Sequence, residues 1–284
     1  MDSRKLRARV ERLTDLLAAP DVVAQVREVA NREQHSAEQL ADAIMADPAL
    51  AVRVLRVVNS GFFNFPQPIT TISHALVMLG TDVVKALVLT APVFDLFSRV
   101  KGLWLHSLAV ARASGALAEA LGYRDPEELS LAGLLHDVGK AVLADEAPLA
   151  VRQVQSLVQQ QKMPISAAEQ QVLGFTHADV GVWLLQRWNV PVKLTAPVGG
   201  HHQLSTVREY ADRAAIVHVA DVLARAKAIG DPGDQLLPAI EAEAWEALRL
   251  TMDHAATAFD ALDALIDELA QGPKEPVWTE RRVS

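Results

Sequence analysis

The longest apolar runs of this sequence, such as ALVMLG and ALVLTAPVFDLF, are broken by Gly, Asp, Lys or Pro well short of the roughly 20 residues a membrane span needs. They are built mostly from Ala, Leu and Val, with few β-branched alternations, and that pattern favours packed helices over sheet. Half of the 284 residues are hydrophobic and only 5% are aromatic, so there is enough chain for a sizeable core. The expected fold class is all-α, with no fixed-period repeat and no convincing strand.

Punctuation places the helices. An amphipathic stretch runs from Leu13 to about Asn31, with a break at Pro20 and Asp21. Ser36 is a plausible N-cap. Asp47 and Pro48 form a second start, with Asp at the cap and Pro at the first helical position. The helix that follows puts Leu50, Val54, Leu55 and Val58 on one apolar face. GFFNFPQPIT is the clearest break, and Phe62, Phe63 and Phe65 are expected to plug the core. Thr70 to Leu79 and Asp82 to Leu89 then read as two short helices joined at Gly80. In outline this is a helix-turn-helix, yet its second helix offers only Lys85 for base or phosphate contact, so a core hairpin is the better reading. Another helix begins near Gly102 and closes at Gly122, and a Gln-rich one runs from Pro148 to about Lys162. GDPGDQ, from Gly230 to Gln235, reads as a linker. The last amphipathic helix, HAATAFDALDALIDELA, can pack on its own chain or form a homodimer seam.

The charge balance, 27 Lys and Arg against 35 Asp and Glu, gives -8 and opposes nonspecific binding to nucleic acid. The basic cluster Arg4, Lys5, Arg7, Arg9 and Arg12 is expected to be a solvated helix end. Without cysteine there is neither a disulfide framework nor thiolate ligation. The charged N-terminus has no apolar h-region, so a cytoplasmic protein without membrane attachment is expected.

Candidate chemistry lies with the nine histidines. LLHDVGKAVL sets His136 and Asp137 side by side in an apolar run. His106, His136, Asp137, His177, His201, His202 and Asp221 follow one another through the helical second half, several of them in adjacent pairs. A lone buried histidine is most often a hydrogen-bonded core residue, but independent core histidines have no need to occur in pairs or beside aspartate. Mixed imidazole and carboxylate shells suit Fe, Mn or Co, and a bridged pair of such ions can activate water against a phosphate ester. His218, three residues before Asp221 on the same helical face, is either a supporting partner or core. His35, His74 and His254 carry no such signal.

DPALAVRVLRVVNSGFFNFPQPITTISHALVMLG resembles the signature of HDOD domains, the HD-related output domains of bacterial signalling proteins. LHSLAVARASGALAEALG, LAGLLHDVGKAVL, EQQVLGFTHADVGVWLLQRWNVP and GGHHQ extend the resemblance over about residues 12 to 225. It implies an N-terminal helical lobe, residues 1–100, packed on an HD-like helical bundle, residues 101–229. A linker, helix and tail complete the chain over 230–284. It also implies a regulatory module of bacterial signalling acting through a protein partner. Such domains often adjoin receiver, GGDEF or EAL domains; none is visible, so a stand-alone version is expected.

The related HD-GYP family hydrolyses cyclic di-GMP with a His and Asp metal cluster. By that resemblance the seven residues above occupy ligand-like positions and Lys140, one turn after His136, is placed to meet a substrate phosphate. Lys140 is equally readable as a helix-end cation. HD-GYP proteins follow their histidine pair with an Arg, an Asp-Gly and a Gly-Tyr-Pro, whereas this chain reads HHQLSTVREYADR. Two functions therefore stand. One is a signalling module with a retained metal or nucleotide site, which can also be empty. The other is a metal-dependent phosphohydrolase with Asp137 as bridging ligand and metal-bound water as nucleophile.

Overall fold

In the computed structural model, residues 8, 36–60, 63, 65, 67–91, 94–97 and 99–270 are described, and no strand occurs among them. The amphipathic stretch expected from Leu13 to Asn31 and the basic cluster at Arg4 to Arg12 lie outside the described residues.

Among the described residues, the N-terminal group consists of α1 (Ala37–Met45), α2 (Pro48–Val58) and α3 (Ile72–Thr90). Helix α1 starts where Ser36 and Gln39 cap each other reciprocally, the side-chain oxygen of each accepting from the other's backbone N–H. The Asp47 carboxylate accepts from Leu50 N at 3.2 Å and starts α2. Leu40, Ile44, Val54, Val57 and Leu76 close an apolar core between these helices. Of the face expected on α2, Leu50, Val54 and Val58 are buried and Leu55 is half-buried. Gly80, at φ 77° and ψ 164°, kinks α3 between the two segments expected as a hairpin. By length and composition α3 could cross a membrane, but it carries this kink, and Val83, Val84 and Ala86 to Leu89 are buried in the protein core. Phe63 and Phe65 stack at 5.8 Å and are only half-buried against the core, so the plug is partial; Phe62 lies outside the described residues.

A short helix α4 (Phe94–Phe97) leads into the bundle: α5 (Leu103–Ala120), α6 (Pro126–Leu135), α7 (Val138–Glu146), α8 (Pro148–Gln161), α9 (Ile165–Leu173), α10 (His177–Arg187), α11 (Val192–Gly200) and α12 (Ala211–Ala226). A 3₁₀ turn at Leu204–Tyr210 joins the last two, and α13 (Ala242–Ala247) and α14 (Met252–Ala270) follow. Helix α5 is central, packed by α6, α12 and α14. The C-terminal helix thus docks on its own chain, where Arg112 of α5 grips Glu268 with two hydrogen bonds of 3.0 and 2.9 Å. Lys193 of α11 reaches Asp82 of α3 at 2.8 Å and Glu128 of α6 at 2.5 Å, tying the N-terminal helices to the bundle.

Candidate metal centre

The pair His136-Asp137 lies at the junction of α6 and α7, where the chain leaves helical geometry for one residue, Asp137 at φ -101° and ψ 11°. This corner points both side chains into the bundle. Helix α7 can lie against α10 because residue 139 is glycine; a Cβ there would collide with the His177 carbonyl oxygen. His106 comes from α5, His177 from the first position of α10, His201 and His202 from the end of α11, and Asp221 from the middle of α12. All seven predicted ligands therefore meet. His106, His136, Asp137, His177 and His201 are fully buried and Asp221 is nearly so; His202 alone of the seven keeps partial exposure.

Asp137 stands at the middle. Its Oδ2 is 3.2 Å from His136 Nε2 and 3.7 Å from His106 Nε2, while its Oδ1 is 3.1 Å from His177 Nε2 and 3.9 Å from His201 Nε2. Asp221 Oδ1 closes one side at 3.0 Å from His106 Nε2. His202 Nε2 closes the other at 3.0 Å from His177 Nε2. Ligand atoms within 4.8 Å of one another form three overlapping sets: His106, His136 and Asp221; His136, Asp137 and His201; His177, His201 and His202. One carboxylate between two such sets is the arrangement a bridged pair of ions requires.

The outer hydrogen bonds fix how the rings present themselves. His136 Nδ1 is 2.7 Å from the Gly133 carbonyl, and His201 Nδ1 is 2.7 Å from the Val198 carbonyl. His177 Nδ1 is 2.6 Å from a Glu169 carboxylate oxygen. Carbonyls and carboxylates only accept, so each Nδ1 carries a proton, and whenever the ring is neutral its Nε2 turns a lone pair inward. His218 Nδ1 donates to the His201 carbonyl at 2.9 Å and its Nε2 accepts from Glu241 N at 3.1 Å, so it supports His201 through the backbone.

Inside this ring several buried atoms lack hydrogen bonds. Both nitrogens of His106, Nε2 of His136 and of His201, and Oδ1 of Asp137 have no partner of suitable geometry, despite the short distances. An unsatisfied buried polar atom costs on the order of 1–3 kcal/mol, so a group of them aimed at one point is expensive without a ligand. Neutral imidazoles and carboxylates are the donors that divalent Fe, Mn or Co accept, and the residues fit such ions. Bound there, a metal pair would supply charge that polarises a phosphate ester and acidifies water.

The titration pattern agrees. Burial would raise Asp137, but His136, Lys140 and His177 hold its carboxyl well below the usual carboxylate range. Burial acts likewise on Asp221, and the adjacent His106 ring together with Arg225 outweighs it, holding the carboxyl well below the usual range. Burial lowers His106. It also lowers His201 and His202 well below the ordinary value, reinforced by neighbouring histidines. Burial would lower His177, but Glu169 and Asp137 together outweigh it and the ring goes up. Charged carboxylates beside rings held low at His106, His201 and His202 are the protonation states that metal ligands need, and His177 is the exception.

Lys140 is not free to meet a substrate. Its Nζ is 2.6 Å from Asp137 Oδ2 and 2.7 Å from the Pro232 carbonyl, with the residue 6% exposed. Arg225 stands similarly on Asp221, its Nε 2.9 and 3.1 Å from the two oxygens. Glu169 and Arg225 escaped the sequence reading. The signals were a carboxylate in the apolar stretch eight residues before His177, and an arginine four residues after Asp221. The expected linker at 230–235 is also revised: it packs on the centre, with Asp234 buried.

A family model described as the HDOD domain matches residues 16–204. A solved structure from Geobacter sulfurreducens, described as an HDOD domain protein of unknown function, is 28% identical. It covers 89% of this chain and 90% of its own, with a TM-score of 0.68. An uncharacterized protein of Treponema pallidum (strain Nichols) is 23% identical over 261 residues, 88% of this chain and 51% of that protein. Ribonuclease Y of Aquifex aeolicus (strain VF5) is 32% identical over 123 residues, 43% of this chain and 17% of the enzyme. The chain thus spans about half the length of the first of these relatives and less of the second.

Proposed function

The chain belongs to the HDOD family, and from that premise we propose that it is a regulatory module of bacterial signalling which holds a divalent metal pair and acts through contacts with a protein partner. The observation that carries this reading is the enclosure of the centre: of the seven side chains that meet, only His202 keeps partial exposure. A complete ligand set enclosed in this way supports binding over turnover. The sequence after His202 agrees, since HHQLSTVREYADR lacks the substrate loop of cyclic di-GMP hydrolases. Fold alone would not decide between module and enzyme.

The alternative is a metal-dependent phosphohydrolase acting on a nucleotide or other phosphate ester. It is favoured by the full set of seven ligands and by the partial similarity to ribonuclease Y. The test is turnover of cyclic dinucleotides and of an aryl phosphate by Mn-loaded full chain, beside Asp137→Ala prepared identically. The module reading expects equal, background rates from both. Wild-type turnover at least about tenfold above the variant would establish the enzyme instead.

A further inference from the structure

The segment from Asp231 to Glu241 is fastened to the metal centre at four points, and each fastening is one step removed from a different ligand. Asp231 N donates to the Gly102 carbonyl at 3.1 Å, the same oxygen that accepts from His106 N at 3.0 Å. Gly230 lies so close to the His106 amide that a Cβ would collide with it. The Pro232 carbonyl accepts from Lys140, whose ammonium sits on Asp137. Asp234 Oδ1 accepts from Arg225 Nη1 at 2.9 Å, and Arg225 sits on Asp221. Glu241 N donates to His218, which in turn donates to the His201 carbonyl. The remaining Asp234 oxygen accepts from Ile165 N at 2.9 Å.

Two of these links are electrostatic and respond directly to charge at the centre. Lys140 and Arg225 neutralise the two carboxylates and hold the segment with the same head groups. A divalent ion bound by Asp137 and Asp221 would share those carboxylates with both cations and repel them over a few ångströms, in surroundings where charges are weakly screened. Lys140 also borders a cavity of about 270 Å³ that includes Glu169 and Leu143, which gives its side chain somewhere to move.

We propose that the 231–241 segment is a strap that reports metal occupancy: clamped by Lys140 and Arg225 when the carboxylates carry no metal, and loosened when metal takes them. This rests on the metal-binding part of the proposed function and adds its output. Asp231 and Gly233 to Leu236 form one wall of a groove of about 640 Å³ opposite Gln155, Gln159 and Lys162 of α8. Loosening the strap therefore changes a surface well outside the ligand ring.

The test is amide hydrogen exchange of the full chain, with Mn binding to the same preparations followed by calorimetry. Addition of Mn should speed exchange in peptides covering 231–241 by about fivefold or more, the low end of ordinary coupling between sites, while α1 stays unchanged. Asp234→Ala touches no ligand and removes one clamp. It should exchange faster in the strap before metal is added and, because coupling is reciprocal, bind Mn about fivefold more tightly. Lys140→Met should behave in the same direction, and provides a second variant if the first fails to fold. Mn bound at full stoichiometry with strap exchange unchanged or slowed would overturn the strap while leaving the metal centre intact. No Mn bound at all would overturn both.

Discussion

In the N-terminal helices the buried hydroxyls of Ser60 and Thr90 each donate to a nearby backbone carbonyl, at 2.6 Å to Val57 O and 2.7 Å to Ala86 O. Around them the core is aliphatic. In the bundle, equally buried ring nitrogens and a carboxylate oxygen converge without hydrogen bonds. Both regions belong to one continuous hydrophobic core, so the difference lies in what each part of it holds. A core made only to hold helices together satisfies its few polar groups locally, because leaving them bare is costly. A core that leaves several bare and aims them at one point is arranged for something else to satisfy them.

This contrast can be broken from either side. The largest effect on stability should come from the N-terminal core: Leu40→Ala, at a fully buried site, should cost about 2–5 kcal/mol in denaturant unfolding. The folded variant should retain wild-type Mn affinity, and a parallel loss of metal would show that the two regions are not independent. Asp137→Asn should lower Mn affinity by about 100-fold or more in calorimetry, because both ligand sets lose their shared charge. Glu169→Gln keeps a group able to accept from His177 but removes the charge behind the ring; a decrease of about tenfold is expected, and no decrease would exclude Glu169 from supporting the ligand.

The smallest effect is on acid stability. His106, His201 and His202 are held below their ordinary value in the folded chain, so the unfolded chain binds more protons as pH falls below about 6.5, and folding weakens. His177, raised by Glu169, works the other way: its contribution is fully present below about 6.5 and is lost as pH rises through its folded value. Asp137 and Asp221 are depressed and lose their contribution only at far lower pH. With three rings against one, the metal-free chain in chelator should melt at lower temperature at pH 5.5 than at pH 7.5. An unchanged or higher melting temperature at pH 5.5 would mean that the rings are not buried neutral.

The convergence of the seven residues was legible in the sequence because paired histidines and a His-Asp step inside apolar helices are hard to explain as independent core residues. The caps at Ser36 and Asp47 and the kink at Gly80 were legible for a local reason: each depends on residues within a few positions. Glu169 was not, since a buried glutamate reads as surface until the fold brings it against His177. The strap was mistaken for a linker because Gly, Pro and Asp look alike in a free loop and in one held by distant cations. Lys140 showed its charge in the sequence, but not that Pro232 lies across it.

Whether the bare atoms around Asp137 are metal ligands is decided by elemental analysis of the full chain after reconstitution with Mn or Fe and removal of excess ion. About two equivalents per chain in the wild type, and far less in Asp137→Asn, is the predicted result. Less than about a tenth of an equivalent in the wild type, as purified and after reconstitution, would contradict it.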